Sequence, residues 1–348
     1  KFRGDIYAMP EGTIMYPNEP VMTVVAPLID AQLIETTILL EINHQSLIAT
    51  KTNRIVQAAS GKPVSDFGAR RAHNVDAAVY GARAAYIGGA VGTATVLAGK
   101  MFDIPISGTM AHSWVMCFDN EFEAFKAYAE SYPDATVLLV DTYDVLKSGV
   151  PNAIRTAKEV LEPMGKRLKG IRLDSGDLAY LSKEARKMLD AAGLSDCIIV
   201  ASNSLDEYTI TSLNRQEAKI DSYGVGEKLI TSSTTPVFGA VYKLVAINKD
   251  GDFVPKIKIS ETLEKITNPG IKEIYRVYDK AGKAVADYLT IKGEVLDTNR
   301  PVRYVDPVKY WKDRSFVDCS FKPLQQQIFR DGELVYELPA LEDIKKYV

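Results

Sequence analysis

At 348 residues the chain is longer than one ordinary domain, so about two domains are expected, although a barrel can use most of such a length alone. Apolar residues at 46%, charged residues at 25% and a formal net charge of −3 describe a globular protein with no basic excess for nucleic acid or an anionic membrane. No apolar run reaches the roughly 18 to 20 residues that span a bilayer, and no leader-like stretch opens the chain, so a cytoplasmic protein with neither partner is expected. Cys117, Cys197 and Cys319 are far apart among apolar or aromatic neighbours, which suits reduced packing thiols better than a disulfide frame or a zinc site. The first residue is Lys1, and Gly4 to Pro10 reads like the middle of a domain; a leading segment is expected to precede it.

In chain order, residues 5–27 carry short β-like runs punctuated by Pro10, Gly12, Pro17 and Pro20, which predicts strands and turns. From Asp30 to Ser60 there is no proline or glycine, and Leu33, Ile34, Thr37, Ile38, Leu40, Glu41, Leu47 and Ile48 fall at helical spacings, predicting a long helix or helix pair. Short apolar runs then follow at Pro105-Ile106, 137–140, 170–171, 197–200 and 220–225, alternating with amphipathic stretches near 120–131, 150–164, 180–192 and 205–216. Val- and Ile-rich runs of this length between helices argue parallel strands buried on both faces. Beyond 236 the alternation is lost, and the polar, glycine-containing segments 249–252 and 279–283 read as hairpin turns.

Residues able to do chemistry follow these runs repeatedly: Phe67 with Arg70 and Arg71, Gly108 with His112, Asp141, Arg172 with Asp174, Ser202 with Asn203, and Gly224 with Gly226. A barrel gathers all its carboxyl strand ends on one face, whereas an open doubly wound sheet gathers fewer at its switch point. The fold class expected is therefore α/β: an irregular TIM-like α/β barrel over 29–235, with a second, smaller β-rich domain formed from both chain ends, 1–28 and 236–348.

Phe67-Gly68-Ala69-Arg70-Arg71 offers an aromatic face and two guanidinium groups, suited to a planar anionic ring, although adjacent arginines at a helix start are often only solvated. In Arg172-Leu173-Asp174-Ser175-Gly176-Asp177 the turn can hold ribose hydroxyls or a magnesium-bound pyrophosphate on Asp174 and Asp177 while Arg172 faces substrate; the plainer reading is a helix cap by Asp174 or Ser175. Val140-Asp141-Thr142-Tyr143-Asp144 resembles the phosphoribosyl diphosphate motif of type I phosphoribosyltransferases but lacks its adjacent acids and threonine-glycine loop, leaving a strand-end carboxylate for magnesium or ribose hydroxyls. Tyr223-Gly224-Val225-Gly226 offers unobstructed amides for a phosphate without the spacing of a Walker loop. Of three histidines, His44 falls within the long helix and reads as core or interface, and His73 stands at a helix start. His112 follows a small-residue turn, where an open imidazole beside phosphates can act as a base or as a nucleophile toward a phosphoryl group.

Taken in order, Phe67-Gly68-Ala69-Arg70-Arg71, Gly108-Thr109-Met110-Ala111-His112-Ser113, Val140 to Asp144, Arg172 to Asp177, Ala201-Ser202-Asn203 and Tyr223-Gly224-Val225-Gly226 resemble the nicotinate phosphoribosyltransferase family, along essentially the whole chain. The resemblance implies an enzyme making nicotinate mononucleotide and pyrophosphate from nicotinate and phosphoribosyl diphosphate, with magnesium and with ATP as co-substrate, at the entry to NAD salvage. It implies a histidine phosphorylated by ATP at His112, a ring-stacking aromatic at Phe67 and a substrate-contacting base at Arg70. It further implies acids near ribose and magnesium at Asp141 and Asp174, a base near the pyridine substituent at Arg172, and part of a phosphate loop at Gly226. Arg71, Ser202, Asn203 and Gly224 complete the expected substrate-binding set. A homodimer with shared active sites is implied as well; the family's aromatic-bearing leading segment and its usual carboxyl end have no counterpart between Lys1 and Val348.

Three alternatives are weighed beside this. A nicotinamide enzyme uses an acid to accept the amide hydrogens within the stretch matching 88–93, where this sequence has none. An acid about 4 Å from a substrate carboxylate would cost roughly 4 kcal/mol at an effective dielectric of 20, nearly a thousandfold in affinity, so its absence favours nicotinate. A non-catalytic phosphoribosyl-binding regulator has no need of His112, and a quinolinate enzyme needs more basic residues and does not use the histidine motif.

Overall fold

The computed structural model of the chain describes residues 1–262, 266–298, 300–306 and 309–348. It divides into two compact units, one of residues 41–239 and one of residues 1–40 with 240–348.

The larger unit is built on six parallel strands: β1 (Val64–Asp66), β2 (Gly92–Thr93), β3 (Val137–Leu139), β4 (Gly170–Leu173), β5 (Ile198–Ala201) and β6 (Ser222–Val225). Their order across the sheet is β2-β1-β6-β5-β4-β3. The first strand pairs with the last, Ser65 opposite Gly224 and Asp66 opposite Val225, so the strands run in cyclic order. That is barrel connectivity, and an open doubly wound sheet does not produce it. The run Pro105-Ile106 contributes a single parallel bridge, Thr93 to Ile106, rather than a full strand. Proline cannot donate to a ladder, and the ring stays open between Ile106 and β3; the result is a curled half-barrel.

The strands are buried on both faces. Leu138, Leu139 and Val140 are consecutive and each 0% exposed, as are Ile171, Leu173, Ile199, Ala201, Tyr223 and Val225, which is why the sequence shows continuous apolar runs here and not alternation. Helices Glu121–Ser131, Leu178–Ala191 and Glu207–Arg215 fall on the amphipathic stretches. The stretch 150–164 is composite, with an α segment Val150–Thr156, a π segment Ala157–Leu161 and a 3-10 turn Glu162–Met164, broken where Pro163 denies a backbone donor. The long glycine-free stretch forms helices Leu28–Leu33 and Glu35–Ala58.

The smaller unit is antiparallel. Strand Asp5–Ala8 pairs with Met22–Val25 on one side and Gln326–Arg330 on the other, so both chain ends share one sheet. The hairpin Ala246–Lys249 with Asp252–Pro255 turns at Asp250 and Gly251, both with positive φ (55° and 101°), the conformation a two-residue type I′ turn requires. At the second hairpin Asp279 accepts bonds from Ala281 and Lys283 N–H, both at 2.9 Å. Among the described residues no helix is long and apolar enough to cross a membrane, and Cys117, Cys197 and Cys319 are free thiols, of which only Cys197 is buried.

Candidate active site

The chemistry-bearing residues lie at the carboxyl ends of five of the six strands and just past the Ile106 bridge, all within the larger unit. At the end of β1, Asp66 is 0% exposed; its Oδ1 accepts from Gly68 N–H at 2.8 Å and its Oδ2 from Thr93 Oγ1 at 2.7 Å. Burial pushes this carboxyl above its ordinary range, against the two bonds, which pull it down. The turn so fixed presents Phe67. The ring lies against Gly224 of β6, where a Cβ would stand 2.3 Å from it.

Arg172, on β4, reaches over that ring, its guanidinium 5.5 Å from the Phe67 centroid. Nε donates to Ser202 Oγ at 2.9 Å, Nη1 donates to Thr109 Oγ1 at 2.8 Å, and Nη2 pairs with Asp174 Oδ1 at 3.1 Å. Three of five N–H donors are thus committed, which leaves one on each terminal nitrogen and fixes the plane of the fork.

Asp141, just past β3, accepts from Asp174 N–H at 3.0 Å and Ser175 Oγ at 2.5 Å through Oδ2. Its Oδ1 is buried and has no hydrogen-bond partner among the described residues. Asp174 also accepts from Ser202 Oγ. Burial by itself would raise the Asp174 carboxyl, but the Ser202 bond, Arg172 and His112 outweigh it and hold the group below its ordinary range. His112 opens the short helix His112–Met116. Its Nδ1 is 3.1 Å from Thr142 Oγ1, and its Nε2 is 3.8 Å from Asp141 Oδ1 and 3.6 Å from Asp174 Oδ2, with 40% of the side chain exposed.

The structure therefore brings Phe67, His112, Asp141, Arg172, Asp174 and Ser202 into one connected set, with Gly224 behind the ring. Arg70 and Arg71 follow on an exposed 3-10 turn, Arg71 lying 3.5 Å from Glu227. Asn203 is exposed at φ 85° and Ser204 follows at φ 47°, two consecutive left-handed residues of the kind that cluster at binding loops. Gly226 leads into the helix Glu227–Ile230. Asp177, and not Asp174 or Ser175, caps the helix after β4, accepting from Ala179 and Tyr180 N–H. His44 is half-buried, its imidazole lowered by burial, and His73 is exposed.

Sequence reasoning missed Thr109, Thr142, Ser175 and Asp66 as working members. The first three lie inside motifs singled out for their charged neighbours, and a hydroxyl one to three residues from a strand-end acid or base was the available signal. For Asp66 the signal was an acid ending an apolar strand directly before an aromatic turn.

Residues 63–287 match the model of the Nicotinate phosphoribosyltransferase (NAPRTase) family, and residues 271–348 that of the Nicotinate phosphoribosyltransferase C-terminal domain. The chain is 50% identical over 345 residues to nicotinate phosphoribosyltransferase of Bacillus subtilis, covering 98% of this chain and 69% of the relative. It is 46% identical over 298 residues to nicotinate phosphoribosyltransferase pncB2 of Mycobacterium tuberculosis, covering 85% of this chain and 62% of that protein. In structure it is similar to human nicotinic acid phosphoribosyltransferase, with a TM-score of 0.86 at 28% identity over 99% of this chain and 75% of the human one. The chain thus spans between three fifths and three quarters of the length of these relatives. With the strand-end set of Phe67, His112, Asp141, Arg172 and Asp174 in place on a half-barrel of this kind, the chain belongs to the nicotinate phosphoribosyltransferase family, enzymes of NAD biosynthesis.

Proposed function

We propose that this protein transfers the phosphoribosyl group of phosphoribosyl diphosphate to the ring nitrogen of nicotinate, forming nicotinate mononucleotide and pyrophosphate. The transfer is coupled to ATP hydrolysis and serves NAD salvage in the cytoplasm. The observation that carries the reading is Arg172, braced by Ser202, Thr109 and Asp174 above the Phe67 ring. A planar ring stacked on Phe67 places its carboxylate beside a fork whose orientation is already fixed, and a forked pairing of this type is among the strong charge-assisted hydrogen bonds.

At the ribose the requirement is electrostatic. Positive charge develops at the anomeric carbon as its bond to pyrophosphate breaks and the pyridine nitrogen attacks from the opposite face. Asp141 and Asp174 lie where they can hold ribose hydroxyls and answer that charge, and no protein nucleophile need touch the sugar. By the family likeness Gly226 is read as part of the phosphate-binding loop and Arg70 as a base contacting the substrate, with Arg71, Ser202, Asn203 and Gly224 completing the binding set.

Magnesium fits this set. Asp141 Oδ1 is buried without a hydrogen-bond partner among the described residues, and it and Asp174 Oδ2 both face His112 Nε2, so these two carboxylates would hold the ion. Among the described residues no group of three His, Cys, Asp or Glu is arranged to hold a metal unaided; magnesium tolerates this, keeping waters and using one or two carboxylates with substrate phosphates. When bound it would neutralise the departing pyrophosphate.

His112 is read as the residue phosphorylated by ATP, its imidazole open to solvent on one side and facing the carboxylate pair on the other. The family likeness supports a homodimer with shared sites, and the exposed apolar side chains Val96, Met101 and Ile106 offer a surface for it. Nicotinate is preferred over nicotinamide because the stretch 88–93 holds no acid, and Asp66, which bonds Thr93, has both oxygens occupied by Gly68 and Thr93. Steady-state turnover on the two pyridines with phosphoribosyl diphosphate and magnesium tests the assignment; faster turnover of nicotinamide overturns it.

A further inference from the structure

The loop 107–111 carries neither helix nor strand, yet it enters the site at two places. Thr109 Oγ1 accepts from Arg172 Nη1 at 2.8 Å, and the same hydroxyl lies 3.3 Å from Met110 O. Three residues on, His112 Nε2 faces Asp141 and Asp174. Asp174 closes the ring, pairing with Arg172 through Oδ1 and facing His112 through Oδ2. Loop, arginine and aspartate thus form one cycle of contacts that links His112 to Arg172.

A phosphoryl group on His112 would set added negative charge against two carboxylates. Without magnesium, like charges at about 4 Å repel strongly at the dielectric of a half-buried site, and with magnesium on Asp141 and Asp174 the phosphoryl group gains a cation to pair with; in either state the forces that seat the ring between the two acids change. A Cβ at Gly108 would meet nothing within 4 Å, so no neighbour packs against the loop at that residue. The connection from this loop to the substrate fork is the Thr109 hydroxyl.

We infer that Thr109 is a positioning residue through which phosphorylation of His112 re-aims Arg172 and so changes the affinity for nicotinate. This rests on the function proposed above, and it assigns the coupling to a specific contact. Coupling between two sites is a differential contact in two states; here the contact is one hydroxyl on one guanidinium nitrogen.

The experiment uses the full-length protein, its Thr109→Val and Thr109→Ser variants, and ATP labelled in the terminal phosphate. Two quantities are read: labelling stoichiometry, and the nicotinate KM without and with ATP. Wild type should be labelled and its KM should fall with ATP by a factor within the roughly 5- to 150-fold span of ordinary allosteric coupling. Thr109→Val, which keeps the shape and removes the hydroxyl, should be labelled to the same extent while its KM responds to ATP by less than about fivefold, the floor of that coupling span no longer being reached. Thr109→Ser should keep both properties, with thermal melting confirming that each variant is folded. Full labelling of Thr109→Val with an undiminished ATP response overturns the inference, as does loss of the response in a folded Thr109→Ser. An unlabelled wild-type protein instead overturns the ATP-coupled reading itself.

Discussion

The ring of Phe67 occupies the space that a side chain at Gly224 would need: a Cβ there would stand 2.3 Å from Cε2 of the ring. Phe67 directly follows the first strand of the half-barrel and Gly224 lies in the last, and the pairing of these two strands gives the cyclic order. The stacking surface for the substrate and the closure of the fold therefore meet at one point. Gly224→Ala should push the ring off its seat, raising the nicotinate KM by about tenfold and costing about 1–3 kcal/mol of stability, as overpacking generally does. Paired kinetics and chemical denaturation check this; an unchanged KM in a destabilised protein would separate packing from recognition.

Arg172 tests the fork itself. Lysine keeps the charge but presents a single ammonium, so Arg172→Lys leaves Ser202, Thr109 and Asp174 incompletely served and loses the bidentate geometry. Hydrogen bonds to charged groups contribute about 1.5–3 kcal/mol each, so kcat/KM for nicotinate should drop by about 10- to 150-fold. The residual activity on nicotinamide should fall much less, because the amide offers the fork no charge to pair with. Equal losses on both pyridines would count against a carboxylate-reading role.

A buried acid, Asp66, and a half-buried one, Asp174, should respond to pH in opposite directions. Asp66 is raised, chiefly by burial; its contribution to stability is fully present below the ordinary carboxylate range and is lost as pH rises through its folded value. Asp174 is lowered overall, burial being outweighed by Ser202, Arg172 and His112; its contribution is present above the ordinary range and lost as pH falls through its folded value. The deficit of Asp66→Asn relative to wild type should thus narrow from pH 4 to pH 7, and that of Asp174→Asn should widen. Urea denaturation of the ligand-free proteins at the two pH values gives both signs, and matching signs for the two variants would refute the assignment of causes.

His112→Ala should abolish transfer of the terminal phosphate of ATP to the protein. Mass spectrometry of the peptide containing residue 112 measures this directly. Labelling of the alanine variant at full stoichiometry would remove His112 from the coupling role.

The half-barrel was legible because parallel strands buried on both faces leave continuous apolar runs, and because short apolar runs were repeatedly followed by residues able to do chemistry. The identity of the runs 137–140, 170–171 and 197–200 as strands follows from that burial. Pro105-Ile106 was overestimated: its apolar character is that of a strand, but proline and the short run leave one bridge. The cap after β4 fell to Asp177 because the turn runs three residues longer than the acids alone suggested. Charged members of the site could be named from their type, whereas Thr109, Thr142 and Ser175 gain their roles from distances of 2.8, 3.1 and 2.5 Å to partners 30 to 63 residues away. Such contacts depend on register between strands, which a single sequence does not display. The exposure of Cys117 has the same origin, since its neighbours in sequence are apolar while its position on the short helix end faces solvent.

The most direct measurement is pyrophosphate release by the full-length protein with phosphoribosyl diphosphate, magnesium and either nicotinate or nicotinamide, each with and without ATP. The account predicts release with nicotinate, stimulated by ATP, at a kcat/KM at least about a hundredfold above that for nicotinamide, the discrimination expected when a charged fork meets an uncharged amide. Preference for nicotinamide, or no release with either pyridine, would contradict it.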